Sequence, residues 1–296
     1  MDVLMENGVN FDGVIGVSAG AAFGYNFKSR QIGRAIRYNK AYCADKRYAS
    51  VTSWLRTGDM FNADFAYHEV PIERDPIDLE AYRACPMRFT CVCTDIETGK
   101  ADERDIEWIR ASSAIPVATR PVAIEGRKYL DGGVADSIPS AWLFAQGYDR
   151  NIVVLTQPAG FVKQPNSVMP MLRRVFRHYP EFVAALEHRH EVYNATLDDL
   201  ARREAAGEIF VVRPSESVKV PSLCASTRSV AAMRRRPCPR WKRIWRGKGR
   251  MRKAHPGMEV QAGVRFPLLK NMRLRIGCSA YAYARCQVST SSLAAA

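Results

Sequence analysis

Gly16-Val17-Ser18-Ala19-Gly20 is a G-x-S-x-G, a spacing that turns a serine into a nucleophile when a strand enters it and a helix leaves it. A sharp strand-to-helix turn lifts the hydroxyl out of the sheet, and flanking glycines let the backbone pass without a Cβ clash. The following helix then aims free amides and its positive dipole end at a developing oxyanion. Elsewhere the same serine would only cap a helix. A nucleophilic serine also needs a base. One candidate set is histidine: His68, His188 and His190. Only 17 residues precede Ser18, whereas the common Ser–His–acid hydrolase fold places several strands before its nucleophile. His188 and His190 sit with Glu187 and Glu191 in a charged helical stretch and read as surface residues, and His68, beside Glu69, has no better claim. The other candidate is Asp131 in Tyr129-Leu130-Asp131-Gly132-Gly133. A carboxylate leaving a strand into a Gly-Gly loop can approach another element closely and take the serine proton directly. Alone, Asp-Gly-Gly signals only a turn.

The elements that must position these residues alternate in type. Met1 to Glu6 reads as a helix stopped at Asn7-Gly8, and Phe11 to Val17 as a short β-rich run. Ser18 to Lys28 reads as a small-residue helix. A helical region to Tyr48 and a less regular one to Tyr82 follow. Arg88 to Thr94 is a predicted strand, with turn chemistry at Glu97-Thr98-Gly99-Lys100 and a return strand. Asp105 to Ser112 reads as helix, and Pro121 to Leu130 as a strand pair turning at Glu125-Gly126. Ser140 to Gln146 is a helix closed by Gly147, and Asn151 to Thr156 is a buried strand. Pro170 to Ala206 is helical up to Gly207, and Ile209 to Arg213 is a last strand. Such alternation predicts an α/β fold with a mainly parallel sheet covered on both faces.

Charge divides the chain in two. Residues 221–296 hold 17 Lys+Arg and a single acid, Glu259, a net of +16. Residues 1–220 hold 27 bases and 29 acids, a net of −2. The first part has the balance of a globular domain. The second is Arg-, Trp- and Pro-rich without apolar period. It reads as a basic tail, disordered or translated in a shifted frame, with no segment able to join the sheet. If genuine, its Trp241 and Trp245 among cations suit an anionic membrane surface or non-specific contact with nucleic acid phosphate. No run approaches 18 apolar residues and no secretory signal is visible. The eight cysteines lack metal-ligand spacing, and the expected setting is reduced and cytoplasmic.

The ordered combination of Gly16-Val17-Ser18-Ala19-Gly20 and Asp131-Gly132-Gly133 resembles the patatin-like phospholipase family, particularly its bacterial members. Phe89 to Asp95 with Glu97-Thr98-Gly99, Ala111 to Pro116, and Val134 to Pro139 resemble further segments of it. The resemblance runs over roughly residues 1–215 and implies a three-layer α/β/α sandwich with a mainly parallel central sheet. It implies Ser18 as nucleophile, Asp131 as general base, and Gly16, Ala19, Gly20, Gly132 and Gly133 around the oxyanion and substrate. The implied reaction is hydrolysis of lipid acyl esters through an acyl-enzyme, with no metal and no cofactor, and with no specific nucleic acid partner. Two departures stand out. The family opens with a strand and a glycine-rich oxyanion segment, which this sequence lacks, so Met1 reads as an internal methionine. The family pattern also stops where the composition shifts. A catalytically impaired, truncated relative is the alternative reading.

Smaller features complete the expectations. Asp136 reads as a loop organiser rather than the base, and Ser112 and Ser113 as pocket floor or helix cap. Arg120 faces either a head group or solvent. Trp54, Phe61 and Phe65 lie where acyl-chain contacts would fall, with core packing as the default.

Overall fold

A computed structural model describes residues 1–43, 45–98, 101–104, 108–148, 150–216 and 274–280. Its elements, in chain order, begin with α1 (Asp2–Glu6), β1 (Phe11–Ser18), α2 (Ala19–Lys28), α3 (Arg34–Tyr42) and α4 (Val51–Thr57). A π-helical segment, Phe65–Arg74, then leads to α5 (Leu79–Ala84), β2 (Arg88–Asp95), β3 (Ala101–Arg104) and α6 (Ile109–Ser112). β4 (Val122–Ile124), β5 (Arg127–Asp131), α7 (Ser140–Ala145), β6 (Asn151–Val154), α8 (Met169–Val175), α9 (Pro180–Ala205) and β7 (Ile209–Val212) follow. β8 (Leu274–Ala280) closes the series.

The strands form one mixed sheet in the order β4-β5-β2-β1-β8-β6-β7, with β3 also paired to β2. β2, β1, β8, β6 and β7 are parallel, and β3, β4 and β5 make the antiparallel side. Both sheet faces are packed. On β1, Phe11 and Val14 join Ala21 and Phe27 of α2 with Phe89, Cys91 and Cys93 of β2. Ile15 and Val17 point the other way, with Val92, onto Leu143 of α7. This strand is buried on both sides, which is why its apolar run is nearly unbroken. α8 and α9 cover Leu130, Val134 and Ile96 through Leu172, Phe182 and Leu186, and α9 reaches β6 and β7 through Tyr193 and Leu200.

Most sequence expectations have a counterpart. Gly8, Gly147 and Gly207 end their elements at positive φ. Glu125 and Gly126 sit at φ 51° and 78° between β4 and β5, as a two-residue hairpin of the mirror-image type requires. The stretch between Tyr48 and Tyr82, expected to be a less regular helical region, contains α4, the π-helical segment and the start of α5. Only Ile109–Ser112 of the helix expected over 105–112 lies within the described residues.

The tail requires a correction. It was expected to offer nothing to the sheet, yet Leu274–Ala280 is a central strand, parallel to β1 on one side and β6 on the other. Averaged over 76 residues the tail is cationic, but a strand needs only about 4–8 suitable residues, and Leu-Arg-Ile-Gly-Cys-Ser-Ala supplies them. β8 occupies a central position beside β1, where the sequence reading had expected a strand to be missing. Trp241, Trp245 and the remainder of the basic segment lie outside the described residues.

Candidate active site

β1 ends at Ser18, whose backbone stands at φ 54°, ψ −119° before α2 begins. A non-glycine residue in this conformation carries strain of ~1–3 kcal/mol, so the surroundings must hold it. The first glycine of the motif explains part of the shape. A Cβ on Gly16 would lie 2.5 Å from the carbonyl carbon and oxygen of Gly20, so only glycine lets the first turn of α2 fold back over the strand. The Ser18 amide donates to Ser112 Oγ at 3.0 Å, and Ser112 Oγ donates to the Val92 carbonyl at 2.6 Å. Ser112 is fully buried. It tethers the serine turn to β2, a role that the sequence reading, which offered pocket floor or helix cap, did not contain.

Asp131 closes β5 opposite Cys93, and its amide donates to the Ala114 carbonyl at 2.8 Å. Its side chain is 0% exposed, and Oδ1 accepts the Gly133 amide at 2.9 Å. Gly132 fits where a Cβ would stand 2.0 Å from the Val92 carbonyl oxygen. Thr94, also buried, donates from Oγ1 to the Asp131 carbonyl at 2.9 Å and accepts the Ala135 amide at 3.1 Å. The Val92 carbonyl is therefore the common point on which both loops rest: Ser112 reaches it from the serine side and Gly132 from the aspartate side. Val17 is level with Val92 and Asp131 with Cys93, so the two candidate residues flank the same short stretch of β2, two strand spacings, roughly 9–10 Å, apart in backbone.

Of the predicted glycines and alanine, Gly16 and Ala19 frame the turn and Gly20 lies in the first turn of α2. Gly133 turns its amide to Asp131 Oδ1, which gives it a place on the carboxylate. Asp136 accepts the Ile138 amide at 3.0 Å, organising the loop as expected. Arg120 is held by Asp59 through a 3.0 Å ion pair and two further hydrogen bonds. Trp54 donates its indole N–H to the Val117 carbonyl at 2.9 Å, Phe65 is buried, and Phe61 lines a pocket. His68 and His188 are exposed, His188 pairs with Glu191 at 2.9 Å, and His190 contacts the Glu187 carbonyl at 2.9 Å.

A pocket lined by Phe61, Tyr67, Arg110, Ser113, Thr119 and Val122, among others, also includes Ala114, whose carbonyl accepts the Asp131 amide. Tyr67 belongs to the π-helical segment, a geometry often found at functional sites. Burial, together with the nearby Asp131 carboxylate, pushes its hydroxyl pKa up, against a hydrogen bond with Ser113 and the charge of Arg110. Nothing in the sequence singled out Tyr67, because the stretch around it shows no readable period.

Fold and site thus define an α/β protein that presents a strained serine at a strand-to-helix turn, with a buried aspartate loop seated on the neighbouring strand. Comparison with known proteins agrees: residues 1–141 match the family described as patatin-like phospholipase. Residues 179–233 match a second family, described only as a domain of unknown function. Among curated proteins, the chain is 24% identical to the uncharacterized protein YjjU of Escherichia coli over 226 residues, 72% of this chain and 63% of that protein. It is 26% identical over 190 residues to uncharacterized NTE family proteins of Mycobacterium bovis and Mycobacterium tuberculosis, 60% of this chain and 51% of theirs. The match spans between half and two thirds of the length of these relatives.

Proposed function

We propose that the protein is a serine acyl hydrolase that cleaves carboxylic esters of lipids through a Ser18–Asp131 dyad, on a three-layer α/β/α scaffold. The observation that carries this reading is the shared anchor: the turn bearing Ser18 and the loop bearing Asp131 both rest on the Val92 carbonyl. In the proposed reaction Asp131 takes the Ser18 proton, and Oγ attacks the ester carbonyl. The amides of Ala19 and Gly20, at the positive end of the ten-residue α2, stabilise the oxyanion. Collapse of the tetrahedral intermediate releases the alcohol with the proton returned from Asp131. Water, activated by the same carboxylate, then hydrolyses the acyl-enzyme and frees the fatty acid. The pocket beside Tyr67 pairs apolar walls at Phe61 and Val122 with the cation of Arg110, a combination suited to an ester with an apolar chain and an anionic or polar head. The family match over residues 1–141 supports the same chemistry.

Three variants and one probe test the reading. A serine-reactive fluorophosphonate is expected to label the full-length protein at Ser18 and to leave Ser18→Ala unmodified. Asp131→Asn is expected to abolish turnover of a fatty-acyl ester, whereas replacing His188 and His190 with Ala leaves it near the native rate. A folded protein that resists labelling, or activity that disappears with the histidines, would overturn the dyad.

A further inference from the structure

Gly133 connects the aspartate to a part of the chain outside the patatin-like segment. Its amide faces Asp131 Oδ1 at 2.9 Å, and its carbonyl accepts two donors, Ser137 Oγ at 2.7 Å and Arg189 Nε at 2.5 Å. Ser137 is buried and local to the loop. Arg189 comes from α9, 56 positions further along the chain, within the region that matches the domain of unknown function. α9 holds a second segment as well: Asn194 accepts the Lys163 amide at 2.8 Å and donates to the Lys163 carbonyl at 3.0 Å. The helix is itself packed down through Phe182, Leu186, Tyr193 and Leu200, so it is a rigid body from which to hold a loop.

A glycine has the freest backbone of any residue. Without an anchor on its carbonyl, Gly133 would swing, and the amide that orients the carboxylate would swing with it. The guanidinium also brings a positive charge to the loop that carries Asp131, and such a charge favours the ionised carboxylate a base requires.

We infer that Arg189 is a positioning residue of the active site, through which α9 clamps the Gly133 carbonyl and thereby holds Asp131 oriented and ionised toward Ser18. This gives the second family segment a task in the same reaction, and it rests on the dyad proposed above. In this role Arg189 works through the Gly133 backbone.

Arg189→Ala and Arg189→Lys, made in the full chain, test it by steady-state ester hydrolysis across pH. Arg189→Ala is expected to lower kcat about tenfold or more with KM little changed, since a displacement of about 1 Å in a catalytic group can cost 10²-fold. Its acid limb moves to higher pH because the cation is lost. Arg189→Lys keeps the charge and a donor, so its limb stays in place and kcat recovers in part. A structural helix contact alone would move melting behaviour without moving that limb. Native kcat and an unshifted limb in Arg189→Ala overturn the inference while leaving the dyad intact if Asp131→Asn is dead. An active Asp131→Asn defeats the dyad itself. Should Arg189→Ala lose its fold, Arg189→Met keeps the packing of the stem while removing both donor and charge, and native kcat with an unshifted limb in that variant overturns the clamp.

Discussion

Single residues at this site are fixed by contacts that leave no room for alternatives. Gly16 must be glycine because the backbone of Gly20 occupies the place of its Cβ, at 2.5 Å. Ser18 keeps its strained backbone because its amide is bound to Ser112, which is in turn bound to Val92. Gly16→Ala forces α2 away from the strand, and overpacking of this kind costs ~1–3 kcal/mol. Its thermal midpoint is expected to fall by several degrees and its fluorophosphonate labelling to slow, because the turn opens; native values for both would show that the helix can yield without cost. Both glycines of the motif were legible in the sequence, since the spacing alone predicts a tight strand-to-helix turn. Ser112 was not, because its hydroxyl acts on residues 20 and 94 positions away.

Elements show where local pattern was sufficient and where it failed. β1, β2 and the β4–β5 hairpin carry their signals within a few residues, as apolar runs or as turn residues that accept positive φ. α9 was visible as a long helical stretch, but its inward reach to Gly133 was not. β8 was missed because its seven residues are surrounded by cationic sequence. Its backbone pairs with β1 from Phe11 to Ser18 and with β6 from Asn151 to Val154, so it has a ladder on both edges. Proline at its centre cannot donate to such a ladder. Ile276→Pro is therefore expected to split the sheet beside β1, which carries Ser18, giving loss of cooperative unfolding and of fluorophosphonate labelling together. A variant that melts and labels as the native chain does would show that the sheet stands without β8.

At the scale of the whole molecule, burial of titratable groups makes stability depend on alkaline pH. Burial, and secondarily repulsion from Arg189, lowers the Lys163 pKa from 10.5 to about 8. Between those values the folded chain has released a proton that the unfolded chain still binds, so stability rises with pH across that window. Burial raises Tyr25 and Tyr38 from 10.0 to about 12. There the unfolded chain loses its protons first, and stability falls once pH passes 10. Urea midpoints measured from pH 7.5 to 11 are expected to climb between about 8 and 10 and then decline, and Lys163→Met is expected to flatten the climb. A native midpoint that does not rise in that window would contradict the burial of Lys163.

The sequence by itself determined the G-x-S-x-G turn, the Asp-Gly-Gly loop and the order of most strands and helices. These depend on residue type and spacing over short distances, and together they were enough to carry the family resemblance over the first part of the chain. The tertiary structure decided which distant groups meet. It brought Ser112, Gly132 and Val92 to one point and set Arg189 against Gly133. It also inserted residues 274–280 beside residues 11–18. Such meetings are contacts between segments far apart along the chain, selected by how whole elements pack and pair, and no local pattern in the sequence records them.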